Sequence, residues 1–334
     1  GLLRVTGSNA NLYLMNPAGI VFGPTAQLNI PGSFIATTAN GIGFGCSGTT
    51  CNGWFGAIGA NNYANLVGEP GALAFTMSQP GAIVNAGNLL VNPGQSLTLV
   101  GGTVVNTGSL TAPGGAVTIA AVPGSQLVRL TPTNSLLSLE FNPLSPVRGS
   151  LPPALPFTPL TLPQLLTGGN LGSATGIVTN ADGTVSLVGS AIRLPTAAGT
   201  AIAAGSINTA IPALRPSPVP LSSPTVNVLG RQVALVGATI DASGGVGGGT
   251  VRIGGDFRGE GRFVEVSGKN TLNYRGFVDV SAPAGNPGTL LLDPTDITIV
   301  AGRGGSGDAL LPDLFAGNLP GVGITLSEGA LEGF

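Results

Sequence analysis

The 334-residue chain contains no histidine, one tryptophan, two cysteines and a single lysine, Lys269. Only 8% of its residues are charged, and its net charge at pH 7 is -2. Histidine is the side chain that most often transfers protons near neutral pH, so its absence argues against general acid-base catalysis. The arginines stand singly along the chain rather than in a stripe, which argues against a groove for nucleic acid.

Long hydrophobic runs are also missing. Gly, Pro or Asn interrupts every apolar stretch within about eight residues, whereas a membrane-spanning helix needs roughly 18, so we expect no membrane insertion. The hydrophobic content of 43% nevertheless excludes a disordered chain, because disordered segments are poor in aliphatic residues. An ordered fold has to bury these aliphatic residues while accommodating 56 glycines and 27 prolines.

Neither end of the sequence has the features of a natural terminus. The first residues include no initiator methionine, no basic segment and no apolar signal segment, and the last residues stop within a similar pattern. We interpret the chain as a fragment or processed form whose signal peptide has been removed.

The two cysteines, Cys46 and Cys51, are separated by four small residues. This spacing favours a disulfide that closes a tight loop, which implies an oxidising compartment; a pair of free thiols is the alternative. A zinc site needs two further ligands, and the chain has neither histidine nor another cysteine. We predict no metal and no cofactor.

A repeat of about 20 residues runs through the chain. Aligning residues 81–101 with residues 102–121 matches Asn85 with Asn106, Gly87 with Gly108, Leu89 with Leu110, Leu97 with Val117 and Leu99 with Ile119. Similar units, each a strand, a Gly-rich corner and a strand, follow at 238–257 and 276–294.

Apolar residues in these units alternate at period two, which is typical of half-buried strands. The predicted inward-facing pairs are Leu28 and Ile30, Val185 and Leu187, Val233 and Leu235, Val251 and Ile253, Leu290 and Leu292, and Ile297 and Ile299. Short strands at this spacing fit an all-β sandwich or a parallel β-solenoid. The repeat favours the solenoid, because each coil stacks its aliphatic pair on that of the next coil. Asn85 and Asn106 are then predicted to form an amide ladder.

Two proline-rich stretches, at 143–163 and 212–224, interrupt the repeat. Proline cannot donate to a ladder of hydrogen bonds, so we expect both to leave the coil as extra-helical loops. The residues around Pro163 are predicted to form a short helical turn. We expect these loops to pack over the solenoid flank; docking on an aromatic groove of a partner is the alternative.

The chain accordingly divides into a β-helical segment at 1–130, a proline-rich excursion with a short helix at 131–175, and a continuing solenoid at 176–334. The coiled residues correspond to roughly 13 coils, and a spacing of about 4.8 Å per coil predicts a rod about 60 Å long.

Aromatic residues are densest around the cysteine loop, where Phe44, Trp54, Phe55 and Tyr63 lie. We favour a cluster that closes a flank of the core, and a platform for carbohydrate is the alternative.

Acidic residues are scattered along the chain. A pair such as Asp256 and Glu260 could supply the two facing carboxylates that a glycosidase on a β-helix requires. No acidic cluster recurs on one face of successive coils, so we predict that the chain is not an enzyme.

Residues 10–39, ANLYLMNPAGIVFGPTAQLNIPGSFIATTA, closely resemble the haemagglutination-activity, or two-partner secretion, domain of the filamentous haemagglutinin family. The family signature is an Asn-Pro-Asn-Gly-Ile turn followed by a GSFIATTA-like strand. Asn16, Pro17, Gly19 and Ile20 match it, whereas Ala18 replaces the second Asn. Proline in second and glycine in fourth position still suit a type I turn.

The resemblance is strong over residues 1–130 and weaker towards the end. A second family signature, Asn-Pro-Asn-Leu, does not occur here, so we place it upstream of Gly1 and expect the first part of the domain to be missing. The turn at residues 16–19 is then either an early turn that sets the register of the first coils or an ordinary corner.

The resemblance implies a right-handed parallel β-helix in a large secreted protein of a Gram-negative bacterium. It also implies export through an outer-membrane partner transporter that recognises the N-terminal domain. Such proteins act outside the cell or on its surface as adhesins, cytolysins or matrix components. A chain with few charges suits threading through a pore and folding coil by coil.

We expect an extracellular or cell-surface adhesin stalk that binds a carbohydrate or another cell-surface ligand. The alternative is a filament subunit that associates end to end, because open solenoid ends expose unpaired strand edges. A polysaccharide-active enzyme on a β-helix is the third and weakest alternative.

Overall fold

The computed structural model describes most of the chain up to residue 254 and separate strands beyond it. The described residues are 1–7, 10–47, 50–133, 136–143, 151–167, 172–189, 192–211, 224–244, 248–254, 264–267, 272–279, 290–293, 297–300 and 324–327.

Most of these residues form short strands. The first are β1 (Leu2–Arg4), β2 (Leu12–Met15), β3 (Ile20–Phe22), β4 (Gln27–Asn29), β5 (Phe34–Thr37), β6 (Gly41–Phe44), β7 (Gly53–Gly56), β8 (Pro70–Phe75), β9 (Ala82–Asn85), β10 (Asn88–Leu90), β11 (Ser96–Gly101), β12 (Thr103–Asn106), β13 (Ser109–Thr111), β14 (Ala116–Ala121), β15 (Gln126–Thr133) and β16 (Leu136–Pro143). The later ones are β17 (Ile177–Thr179), β18 (Val185–Leu187), β19 (Arg193–Leu194), β20 (Thr200–Ala203), β21 (Ser206–Asn208), β22 (Thr225–Leu229), β23 (Gln232–Asp241), β24 (Thr250–Gly254), β25 (Val264–Ser267), β26 (Leu272–Asp279), β27 (Leu290–Asp293), β28 (Ile297–Val300) and β29 (Ile324–Ser327).

The helices are short. They are a 3₁₀ helix (Tyr63–Asn65), α1 (Leu162–Thr167) and α2 (Gly172–Thr175). In the described ranges, no helix combines the length and the apolar character that crossing a membrane requires.

The strands wind into a parallel β-helix in which three strand positions recur. The first row is β3, β9, β12, β20 and the first halves of β23 and β26; the second is β1, β4, β10, β13, β21 and the second halves of β23 and β26. The third row is β2, β5, β11, β14, β22, β24, β25 and β27. Neighbours within each row are parallel, for example β9 with β12, β10 with β13 and β11 with β14. The predicted parallel β-helix is therefore confirmed.

The strand register reproduces the predicted repeat. Leu89 pairs with Leu110, which pairs with Ile207, which in turn pairs with Ile240 of the next coil. The four side chains are buried in one core cluster. Full burial of each aliphatic side chain is worth about 1.5–3 kcal/mol, so this internal column is a major source of stability.

Asn85 and Asn106 form the predicted amide ladder. Asn85 Nδ2 donates to Asn106 Oδ1 at 2.8 Å, and both residues have an exposed fraction of 0%. Each side chain also donates to the carbonyl oxygen of the glycine two residues later, at 3.3 Å. The ladder has two rungs, because Phe22 and Ala203 occupy the equivalent positions of the flanking coils.

The chain leaves the coil after β5 to form an antiparallel sheet in the order β16-β15-β8-β6-β7. The segment at 1–130 is therefore not β-helical throughout, because β6, β7 and β8 lie outside the coil. The period-two alternation used for the prediction is the same in parallel and antiparallel strands, so it could not reveal this interruption. The sheet packs its inner face against the outward side of β11 and β14.

A second excursion contains α1, α2 and the antiparallel sheet β17-β18-β19. Val185 and Leu187 lie on β18, so their prediction as an inward-facing coil pair is wrong. They pack with α1 against the outward side chains of β9, β12, β20 and β23, which buries the first row on both faces. The coil resumes at β20, later than the boundary at residue 176 suggested.

The other predicted inward-facing pairs agree with the structure where their side chains are described. Ile30, Val233, Leu235, Val251 and Ile253 are buried in the core, and Leu28 packs against it. The side chains of Leu290, Leu292, Ile297 and Ile299, and residues 212–223 of the second proline-rich loop, lie outside the described residues.

The third row contains eight strands in the described part of the chain. At about 4.8 Å per coil this row is about 35 Å long. The rod of about 60 Å predicted from sequence covers the whole chain, and most of residues 255–334 lie outside the described residues, so that length stays a prediction.

Candidate functional site

Residues 16–19 form a closed turn between β2 and β3. Gly19 N donates to Asn16 O at 3.2 Å, and Ala18 N donates to Asn16 Oδ1 at 3.1 Å. Asparagine commonly closes turns in this way, by accepting from the backbone two residues later. Gly19 has a φ of 132°, which disfavours any residue with a side chain. The turn thus forms with alanine in its third position.

Later residues cover this turn. Leu160 N donates to Ala18 O at 3.1 Å, and a Cβ atom on Gly19 would lie 3.0 Å from Leu165 Cδ1 of α1. A Cβ atom on Gly81 would lie only 2.5 Å from Pro17 O, so the next coil contacts the turn backbone directly.

The predicted motif residues therefore differ in accessibility. Pro17 and Ile20 are buried, Gly19 is half-buried and Asn16 is exposed. A partner that meets the folded protein reaches the side chain of Asn16 but not those of Pro17 and Ile20.

We call residues 151–167 the strap. At one end Pro153 O accepts a hydrogen bond from Asn40 Nδ2 at 3.1 Å, beside the antiparallel sheet. At the other end Leu162 and Leu166 are buried against the first row of the coil. The strap thus connects the antiparallel sheet with the turn at residues 16–19.

Cys46 and Cys51 form a disulfide that closes the connection between β6 and β7. Both sulfur atoms lie close to Gly43, on the same face of the sheet as Trp54. The linkage joins the two edges of the loop and restrains the start of β7.

The four predicted aromatic residues do not form one cluster. Trp54 and Phe55 are neighbours on β7, so their side chains lie on opposite faces of the sheet. Phe44 and Phe55 pack on the inner face, towards the coil, where they close its flank. Trp54 packs on the outer face with the disulfide and Leu151. Tyr63 is 72% exposed, and its ring centroid lies 6.5 Å from that of Phe55.

A groove of about 370 Å³ opens on the outer face beside Trp54. Its walls are formed by residues 51–54, by Leu151, Pro152 and Pro153 of the strap, and by six residues that follow β7 or end it: Gly56, Ile58, Ala60, Asn61, Asn62 and Asn65. None of the residues that line it is charged.

Side-chain amides hold the walls of this groove in place. Asn61 Oδ1 accepts from Gly56 N at 2.7 Å, and Asn61 Nδ2 donates to Gly56 O at 3.1 Å. Asn62 Oδ1 accepts from Ala64 N at 3.2 Å and caps the 3₁₀ helix. Asn52 Nδ2 donates to Val67 O at 3.2 Å.

The pKa values of Tyr13 and Asp182 are shifted from their ordinary values. Burial, together with the negative charge of Glu69, raises the pKa of Tyr13 to about 12. Hydrogen bonds from the side chain and backbone of Thr184 lower the pKa of Asp182, which lies 3.4 Å from Arg193 on the second excursion.

Within the described residues, no group of three potential metal ligands among His, Cys, Asp and Glu comes together. Asp256 and Glu260, the acidic pair considered for catalysis, lie outside the described residues.

The protein is thus a parallel β-helix that has an Asn-Pro turn in an early coil and an extra-helical antiparallel sheet beside the coil. The model of the TPS secretion domain matches residues 1–146. This match confirms the resemblance found at residues 10–39. Residues 1–146 are a two-partner secretion domain, which implies a secreted protein and interaction with an outer-membrane transporter.

Among solved structures, the chain is similar to the HMW1 secretion domain from Haemophilus influenzae, with 16% sequence identity. The likeness covers 87% of this chain and 67% of that chain, with a TM-score of 0.33. This superposition is loose, so the assignment of the fold depends on the strand pairing described above and not on this similarity. No curated protein matches the chain.

Sequence reasoning missed the groove and the cover over the turn. A signal for the groove exists in the sequence, because Asn52, Asn61, Asn62 and Asn65 surround the single tryptophan. The strap is about 100 residues away from that group, and nothing local in the sequence indicates that the two meet.

Proposed function

We propose that this chain is the secretion domain and adjoining stalk of an adhesin displayed on the surface of the secreting cell. The TPS secretion domain accounts for export, and the parallel β-helix provides a rigid support. The observation that supports adhesion is the extra-helical sheet β16-β15-β8-β6-β7. Its inner face packs on the coil, and its outer face presents an uncharged groove.

The proposed activity is binding rather than catalysis. The chain contains no histidine, and its 14 acidic residues are spread along the sequence. The groove beside Trp54 is lined by amide, aromatic and aliphatic groups, which bind ligands but do not transfer protons at neutral pH.

A filament subunit is the second candidate. The three rows of strands pair in parallel along the coil axis. The same pairing between the ends of two copies would continue the rod into a fibre.

Adhesion is tested with the purified chain coupled to fluorescent beads. We expect saturable binding to cell monolayers or to bacterial lawns, reduced in competition with the soluble chain. Binding no greater than that of albumin-coated beads to every surface would refute the adhesin proposal. Immunogold labelling of cells that secrete the protein checks the location, and label found in the medium alone would exclude surface display.

Electron microscopy of the same preparation decides between the two candidates. Separate short rods support the stalk. Continuous fibres support the filament, and their subunit repeat is expected to be at least the length of the described coils, about 35 Å at 4.8 Å per coil.

A further inference from the structure

The groove beside Trp54 combines one indole ring with four asparagine side chains and no charge. Its volume of about 370 Å³ is sufficient for part of a small ligand. This composition differs from that of the coil interior, which is aliphatic, and from that of a packing defect, which is apolar.

The indole ring has one supported side and one open side. A Cβ atom on Gly43 would lie 3.0 Å from Trp54 Cη2 and 2.6 Å from Cys51 Sγ, so the ring rests on the backbone of β6 and on the disulfide. The half-buried ring lines the groove with its remaining surface. No hydrogen bond of the described residues uses its Nε1-H group, which is free to donate to a ligand.

Within the described residues, hydrogen bonds use both polar atoms of Asn61 but leave at least one polar atom of each of the other three asparagine side chains unused. Both polar atoms of Asn61 bind Gly56. In the described hydrogen bonds, Asn52 keeps its Oδ1 acceptor, Asn62 keeps its Nδ2 donor, and Asn65 keeps both. Amide groups that offer a donor and an acceptor side by side complement hydroxyl groups, which also donate and accept.

The same contacts argue against a peptide strand or an anion as the ligand. β7 is the edge of its sheet, but Asn61 occupies the N-H and the C=O of Gly56 that an added strand would need. An anion is disfavoured because no lysine or arginine lines the groove.

We infer that this groove binds a neutral glycan, with a sugar ring against the Trp54 indole and its hydroxyl groups on Asn52, Asn62 and Asn65. The inference names the class of ligand for the proposed adhesin and in that sense rests on it. The disulfide, the cap on the 3₁₀ helix and the Asn61 bonds hold the walls before binding, which lowers the entropic cost of association.

The single tryptophan makes the test direct, because all indole fluorescence of the chain comes from Trp54. The full chain is titrated with neutral oligosaccharides of glucose, galactose, mannose and N-acetylglucosamine, and with uronate and sulfated oligosaccharides as acidic controls. We expect at least one neutral series to change the emission and to protect Trp54 from acrylamide quenching, and the acidic series to bind more weakly.

Variants assign the binding to the groove. Glycan-array binding is expected to disappear in Trp54→Ala and to weaken about tenfold in Asn65→Ala, which corresponds to about 1.4 kcal/mol. Tyr63→Ala is the matched control, because Tyr63 is an exposed aromatic residue that does not line the groove. Circular dichroism and the disulfide content of each variant check that the fold is retained.

Three results would overturn the inference. They are the absence of any fluorescence change or array signal with the neutral series, equal binding by Trp54→Ala and the unmodified chain, and a preference for peptides on a parallel array. Bead adhesion that persists in Trp54→Ala refutes the role of the groove and leaves the adhesin proposal intact. Glycan binding without bead adhesion refutes the adhesin proposal and leaves the inference that the groove binds a glycan intact.

Discussion

Replacing the two buried asparagines of the ladder tests how the coils are held together. Asn106→Ala removes the bond from Asn85 Nδ2 and the bond from its own Nδ2 to Gly108 O. At about 1 kcal/mol for each hydrogen bond, we expect the free energy of unfolding to fall by about 2–3 kcal/mol.

Asn85→Ala is expected to cost more. It removes the shared bond, the bond to Gly87 O and the bond that Gly87 N donates to Asn85 Oδ1. It also leaves buried polar groups of Asn106 and Gly87 without these partners, so we expect a loss of about 3–5 kcal/mol.

The double variant, Asn85→Ala with Asn106→Ala, separates the loss of hydrogen bonds from a simple loss of side-chain volume. Both single changes break the same interresidue bond, so the combined loss should be smaller than the sum by about 1–2 kcal/mol. Asn88→Ala is the matched control, because Asn88 lies on the next strand of the same coil and is exposed; we expect a change within about 0.5 kcal/mol.

The assay is equilibrium unfolding in urea, followed by far-ultraviolet circular dichroism, with the slope compared between variants. Strict additivity of the two single changes would refute the shared bond. A loss in Asn85→Ala no larger than in Asn88→Ala would refute the view that the ladder contributes to stability at all.

Three further changes test other parts of the structure by the same unfolding measurement. Leu110→Ala opens a cavity in the aliphatic column and should lower the free energy of unfolding by about 2–5 kcal/mol. A loss smaller than about 0.5 kcal/mol would contradict tight packing there. Gly19→Ala places a Cβ atom 3.0 Å from Leu165 at a φ of 132° and should cost about 1–3 kcal/mol, whereas Gly23→Ala, with open space around it, should be nearly neutral. Because the pKa of Tyr13 is about 12 in the folded protein and 10.0 ordinarily, the unfolded chain loses this proton first, and stability should fall as pH rises through this interval. Tyr13→Phe should reduce that fall, and an unchanged pH profile would contradict the assigned burial.

Features that repeat along the chain could be predicted from the sequence. The alignment of residues 81–101 with 102–121 identifies the register, the aliphatic column through Leu89 and Leu110, and the ladder of Asn85 and Asn106. In a solenoid each coil contacts its sequence neighbour, so a local repeat translates directly into a spatial contact. The turn at residues 16–19 was equally readable, because proline, glycine and asparagine have local conformational preferences.

Only the tertiary structure decided where the chain leaves the coil and what it then contacts. Val185 and Leu187 alternate like a coil pair but lie in an antiparallel sheet, because alternation records burial of one face and not the direction of the neighbouring strand. Trp54 and Phe55 are adjacent in sequence, yet β7 places them on opposite faces, so one lines the groove and the other packs on the coil. Leu165 meets the turn at Gly19 across nearly half the chain, and such a contact depends on how separate hydrophobic surfaces pack together, which no local pattern encodes.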